Sequence, residues 1–185
     1  MIFIFYGAEG SGKSTHAKFL SEKLSLSYVS SGAMFREEYT KGSSVGLIYE
    51  EWVVKKRKYV PDEPTNKLIL ERLSQPDCEH GFVMEGYPRT LNQLETLDRF
   101  LAEKNKKIDR VVYITLPEEV AIKRLMARGR ADDTPERIKE RLESYREGAK
   151  DLLKVYQDRN ILVEISNLPP VDQVQEEILV KLGLE

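Results

Sequence analysis

Cysteine is almost missing from this sequence, with Cys78 standing alone among 185 residues. A lone thiol excludes an internal disulfide and any cysteine-rich zinc site, and it fits a reducing compartment. Long apolar runs are missing too. No segment reaches the ~18 consecutive apolar residues of a membrane span. The run Met1–Tyr6 is too short for a secretory signal and has no basic stretch before it, so it reads as a buried strand. Without a targeting signal, cytoplasm is the expected location. A surplus of one charge is also lacking, because 29 basic residues face 31 acidic ones for a net charge of −2. That balance argues against a bulk nucleic-acid or membrane-surface binder. Repeats, low-complexity tracts and interdomain linkers are absent as well, and the length suits one domain over residues 1–185.

What is present alternates. Apolar, β-rich runs occur at Ile2–Tyr6, Phe82–Met84, Arg110–Leu116 and Ile161–Ile165, with a weaker one at Ser27–Val29. Helical stretches separate them, which predicts a parallel sheet covered on both faces. Ile138, Leu142, Tyr145, Ala149, Leu152 and Tyr156 form one apolar stripe at helical spacing. Asp133-Thr134-Pro135-Glu136 before it reads as a capping box with Asp133 as the cap. Pro117-Glu118-Glu119 opens another helix, and Val171–Leu182 forms the last. About fifty residues of helical character lie between Val29 and Val83, far more than a simple crossover needs. They predict a helical insert over residues 31–59.

Gly7-Ala8-Glu9-Gly10-Ser11-Gly12-Lys13-Ser14 matches G-x-x-x-x-G-K-[ST] between an apolar strand and a helix, the context this phosphate-binding motif requires. Its backbone N–H groups and the helix N-terminus suit phosphate oxygens, Lys13 reaches the β/γ-phosphates and Ser14 ligates Mg²⁺. The motif binds nucleotide without naming a reaction. Asn105-Lys106-Lys107-Ile108 carries Ile where guanine recognition needs Asp, which argues against a GTPase. His16 and Thr15 follow in the helix, His16 reading as a surface residue.

Four further stretches carry a resemblance. They are Ser30-Ser31-Gly32-Ala33-Met34-Phe35-Arg36, Val60-Pro61-Asp62-Glu63, Glu85-Gly86-Tyr87-Pro88-Arg89-Thr90, and Arg128-Gly129-Arg130-Ala131-Asp132-Asp133 followed by Arg141-Leu142-Glu143-Ser144-Tyr145. With the phosphate loop, in this order and spacing, they resemble the adenylate kinase family of nucleoside monophosphate kinases. The resemblance implies a three-layer α/β sandwich with a five-stranded parallel sheet of order 2-3-1-4-5 and a nucleoside-monophosphate-binding insert at residues 31–59. It implies the reaction ATP + AMP ⇌ 2 ADP with Mg²⁺. A UMP/CMP kinase, or a nucleotide-dependent assembly module with weak ATPase activity, are the alternative readings. Neither zinc, nucleic acid nor membrane is expected, and monomer is the default.

By that resemblance, Gly10, Ser11, Gly12, Lys13, Ser14, Thr15 and Arg124 bind ATP, Arg124 by stacking on its adenine. Ser31, Arg36, Val60, Gly86, Arg89, Gln93, Arg130 and Arg141 serve AMP. Lys13, Arg89, Arg128, Arg130 and Arg141 surround the phosphoryl group in flight, and Glu85 holds Mg²⁺ through water beside Ser14. For Gln93 an adenine contact competes with a second reading, since Thr90 followed by Gln93 is also a capping box. Ala33 and Glu85 stand where the family has Asp. Where relatives carry a lid insert, only Gly129 separates Arg128 from Arg130, so residues 128–132 read as a vestigial lid. Lys55-Lys56-Arg57-Lys58 reads as a solvated helix end, Tyr49 and Trp52 as packing residues, and Cys78 as exposed.

Overall fold

Alternation within the strands decides the architecture. In the computed structural model, which describes residues 1–129 and 134–185, five strands pair in the order β2-β3-β1-β4-β5, every pair parallel. They are β1 (Ile2–Tyr6), β2 (Ser27–Ser30), β3 (Phe82–Glu85), β4 (Arg110–Thr115) and β5 (Leu162–Ser166). Successive side chains of β1 point to opposite faces. Ile2, Ile4 and Tyr6 join one apolar cluster, and Phe3 and Phe5 join the other. Both faces are therefore dry, which is why the strand is apolar throughout. Each fully buried side chain such as Ile4 or Phe5 contributes roughly 1.5–3 kcal/mol.

Helices α1 (Lys13–Leu24) and α8 (Val171–Leu182) cover the Phe3/Phe5 face with Ala17, Leu20, Val174 and Ile178. Helices α4 (Asp62–Leu73), α5 (Leu91–Ala102) and α7 (Pro135–Asp158) cover the other with Ile69, Leu97, Leu152 and Tyr156. The α7 stripe is buried as its spacing predicts, Tyr145 only partly. Its cap differs from the expected one. Helix α7 starts at Pro135, and the Thr134 side chain accepts the Arg137 N–H. Proline at the first helical position favours this start, because its missing N–H is one the helix leaves unpaired anyway. Asp133 lies outside the described residues, as do Arg130, Ala131 and Asp132.

The long β2–β3 connection is helical. Helix α2 (Ser31–Lys41) is capped by Ser30, and α3 (Ser44–Tyr49) runs on into a π-helical turn at Glu50–Lys55. Tyr49 stacks on Phe35 with centroids 6.0 Å apart, and Trp52 lies under the Lys56 ammonium at 4.2 Å, so both aromatics pack. Helix α6 (Glu118–Arg128) completes the set.

Two single-residue expectations fail. Cys78 is buried, 3% exposed, at the end of a 3₁₀ turn, Pro76–Cys78. The turn folds its side chain into the apolar cluster under α4, with Arg72 Nη1 3.2 Å from the sulfur. His16 is 1% exposed, because the first turn of α1 is covered by the β5–α8 connection, where Asn167 meets it.

Candidate active site

All strands being parallel, their carboxyl ends Tyr6, Ser30, Glu85, Thr115 and Ser166 share one edge of the sheet. A cavity of about 400 Å³ opens at that edge, where open α/β sheets place their ligands. Among the described residues nine basic and three acidic side chains line it. In a chain of net charge −2, that concentration gives the cavity a positive potential, which favours anions.

One end of the cavity is the phosphate loop. Gly12 has φ of +91°, precedes α1 and leaves its N-terminus without a side-chain cap. Free N–H groups at a helix start favour an anion. Gly10, Gly12, Lys13, Ser14 and Thr15 line the cavity here. Ser11 does not. It is buried, and its carbonyl accepts the Asn167 side-chain amide at 2.6 Å. Lys13 Nζ folds back to the Ala8 carbonyl at 3.2 Å. Burial pulls the Lys13 ammonium below its ordinary pKa, with the Glu85 and Glu9 carboxylates opposing. Phosphate oxygens would reinforce that opposing pull. Arg124 and Arg128 reach the same end from α6. Arg124 Nη2 donates to the Asn167 backbone carbonyl at 3.1 Å.

The other end is built from the β3–α5 loop and the β2–β3 helices. Arg36, Ser31, Val60, Gly86, Arg89 and Gln93 all line it. Gly86 has φ of +82°, and a Cβ there would fall 2.5 Å from Ser31 Oγ. The bare backbone lets one carbonyl, that of Gly86, accept from both Ser31 Oγ and Arg89 Nε at 2.8 Å. Arg89 is further held by Tyr59, whose ring centroid lies 4.3 Å from the guanidinium carbon. Thr90 caps α5 as the sequence predicts. Gln93 is 3% exposed. Its Oε1 accepts the Arg89 N–H, and its Nε2 donates to Asp62 Oδ1, both at 2.7 Å.

Between the two ends lies Glu85, the last residue of β3 and 7% exposed. The Ser30 hydroxyl donates to its Oε1, and so does Tyr28 OH at 3.3 Å. Burial works against its charge, but Lys13, those hydroxyls and Arg89 hold the carboxyl below its ordinary pKa. Arg141 reaches in from α7, its Nη1 3.0 Å from Glu9 Oε2. That ion pair runs to the phosphate loop and not along its own helix. Arg130 lies outside the described residues.

Several residues at this site went unread in the sequence. Tyr59, Arg137 and Asn167 sit in no motif. Glu9 fills an unspecified position of the phosphate loop. Arg57 and Lys58 are exposed like Lys55 and Lys56, and they also line the cavity. Arg57 Nη1 lies 3.5 Å from Glu140 Oε1, and Arg137 Nη2 donates to the Val54 carbonyl at 3.4 Å. Both side chains remain exposed, as a solvated helix end requires, and the turn at Arg57, whose φ is +57°, sets them at the rim of the cavity.

A cavity with a glycine-rich loop and helix N-terminus at one end, Arg36 and Arg89 at the other and a carboxylate between them suits transfer of a phosphoryl group between two phosphates. The sequence model of the family described as adenylate kinase matches residues 5–161. The chain is similar to an adenylate kinase of Mycolicibacterium smegmatis, 38% identical over 183 residues and covering 99% of each chain. One from Nocardia farcinica is 36% identical over 183 residues with the same coverage. One from Archaeoglobus fulgidus is 35% identical over 209 aligned residues, covering 96% of each.

Proposed function

This chain belongs to the adenylate kinase family, and from that premise we propose how its residues divide the work of moving a phosphoryl group from ATP to AMP. The observation that carries the reading is one cavity lined at one end by the loop before α1 and at the other by Arg36 and Arg89. ATP belongs at the first end, with its adenine beside Arg124, and AMP at the second. The acceptor phosphate lies on Arg36 and Arg89, its sugar and base on Ser31, the Val60 backbone and Gln93.

Phosphoryl transfer asks the protein for position and for charge on the equatorial oxygens, with little covalent chemistry. Lys13, Arg89, Arg128 and Arg141 supply that charge, and Arg130, outside the described residues, is assigned with them by its place in the motif. No strong base is needed. The Ser14 hydroxyl and the ionised Glu85 carboxylate both face the cavity, hard oxygen donors of the kind Mg²⁺ takes with water and phosphate. When bound, Mg²⁺ neutralises charge on the phosphate oxygens; Ser14 would touch it directly and Glu85 through water.

Residues 31–59 serve as the AMP-binding insert, and residues 128–132 as the remnant of a lid. A short connection around Gly129 cannot cover the site, since two or three residues span only about 10 Å. Closure therefore falls to the insert. Contacts of Arg57 with Glu140 and of Arg137 with Val54 join the insert to α7 across the cavity mouth, which supports this assignment. We place the enzyme in the cytoplasm as a monomer; among the described residues no helix is long and apolar enough to cross a membrane. The test is one coupled assay of ATP-Mg²⁺ with AMP, CMP, UMP, GMP and dTMP in turn. Preference for AMP is expected. Preference for UMP or CMP would move the assignment to a pyrimidine nucleotide kinase, and turnover with none would move it to a nucleotide-dependent binding module.

A further inference from the structure

Asn167 is the first residue after β5, 3% exposed, and it touches three elements on the ATP side of the cavity. Its Nδ2 donates to the Ser11 carbonyl in the phosphate loop at 2.6 Å. Its Oδ1 meets Nε2 of His16, in the first turn of α1, at 3.0 Å. Its backbone carbonyl accepts from Arg124 of α6 at 3.1 Å, and its own N–H is fixed on the Thr115 carbonyl at 2.9 Å. Room for the amide exists only because residue 12 is glycine, since a Cβ there would lie 2.1 Å from Asn167 Nδ2.

The Ser11 contact has a consequence for phosphate binding. In a trans peptide the carbonyl of one residue and the N–H of the next point in opposite directions. Fastening the Ser11 carbonyl outward on Asn167 turns the Gly12 N–H the other way, toward the concave side of the loop, where consecutive N–H groups cradle an anion. A loosened peptide could rotate and present a carbonyl oxygen to a phosphate instead. Orientation of the amide is itself fixed. With Nδ2 committed to Ser11, Oδ1 must accept, so His16 carries its proton on Nε2. His16 Nδ1 is buried with no hydrogen-bond partner among the described residues, which a neutral ring tolerates far better than a charged one.

We propose that Asn167 is a positioning residue for ATP, holding the Ser11–Gly12 peptide in its phosphate-binding orientation, and that His16 positions Asn167. This rests on reading the loop as the ATP site, and the two ideas fail separately. Asn167→Asp keeps the shape but removes the N–H that Ser11 requires, and Asn167→Ala removes the whole contact. Each should raise the KM for ATP by about tenfold or more, the scale of losing a buried hydrogen bond, and leave the KM for AMP within about twofold. His16→Leu should weaken ATP in the same selective way by a smaller factor. His16→Gln should recover much of that loss, because a glutamine amide can donate to Asn167 Oδ1. Equal weakening of ATP and AMP would mean Asn167 merely supports the fold, and an unchanged KM for ATP in folded Asn167→Asp would overturn the proposal. If the Asn167 variants do not fold, the His16 pair decides, since loss without rescue by Gln, or no loss, refutes it. Lys13→Ala checks the underlying reading, because undiminished turnover in that variant would mean that the loop is not the ATP site at all.

Discussion

Replacing Gln93 by leucine asks whether this enzyme chooses its acceptor by reading the base. A glutamine amide offers two N–H donors and two acceptor lone pairs. One lone pair is taken by the Arg89 N–H and one donor by Asp62, each at 2.7 Å. One donor and one lone pair remain for a ligand. The amide cannot flip, because a flip would set its NH₂ against the Arg89 N–H and its oxygen against the Asp62 carboxylate. Adenine presents an exocyclic amine where guanine presents a carbonyl oxygen, so a fixed amide matches one pattern and opposes the other. In Gln93→Leu the adenine edge loses its partners, at a cost of about 1–3 kcal/mol, so kcat/KM for AMP should fall by roughly 5- to 150-fold. The Arg89 N–H also loses its acceptor, but that disturbance touches the phosphate end and should affect every acceptor alike. The readout is therefore the ratio of kcat/KM for AMP to that for UMP, measured by coupled ADP release at saturating ATP-Mg²⁺. That ratio should fall by roughly the same 5- to 150-fold while the KM for ATP stays within about twofold. A ratio unchanged by the substitution would refute base reading by Gln93 and leave its hydrogen bonds as purely structural.

Lys13→Ala and Arg89→Ala should each lower kcat by roughly 10²-fold or more with circular dichroism unchanged, because the charge they meet develops in the transition state; near-normal turnover would show the site to be misassigned. Glu85, ionised in the fold below its ordinary pKa, adds stability that is present above the unfolded carboxyl value of about 4.3 and lost as pH falls through the folded value. Urea midpoints from pH 7 down to pH 3 should therefore drop less steeply for Glu85→Gln than for the parent, and parallel curves would contradict the assignment. Splicing a lid of family length between Arg128 and Arg130 should slow the hydrolysis of ATP in the absence of acceptor, since a cover excludes water; equal ADP release from both enzymes would show that water exclusion is not set there.

Strand positions and the phosphate loop were legible because each rests on a local signal, whereas the sheet order and the second end of the cavity came through the family resemblance. Apolar runs mark strands buried on two faces, and glycines at fixed offsets mark the loop around Gly12. The residues that escaped are those whose role is set by contacts distant in sequence. Asn167 meets Ser11 and His16 across more than 150 positions, and nothing in its own neighbourhood announces a partner. His16 reads as a surface residue when its helix is taken alone, and the connection after β5 covers it. Cys78 followed a proline in a polar stretch that reads as a loop, and only the tight turn directs its sulfur inward. Arg57 and Lys58 keep their expected exposure, and their place at the cavity depends on the backbone turn at Arg57 after the π-helical segment, which no change in residue type marks.

The buried thiol of Cys78 sits at the amino edge of the sheet, just before β3, while the cavity lies at the carboxyl edge. Burial raises its pKa, so within the closed fold it is a poor nucleophile and a poor target for oxidants. Alkylating reagents can reach it only while the turn beneath α4 is open, which makes the thiol a clock for excursions from the native state. Where those excursions are global, a nucleotide in the cavity must slow the clock by the factor 1 + [L]/Kd without touching the sulfur. The protein thus carries, in its one cysteine, a report on ligand occupancy written at the opposite edge of the sheet.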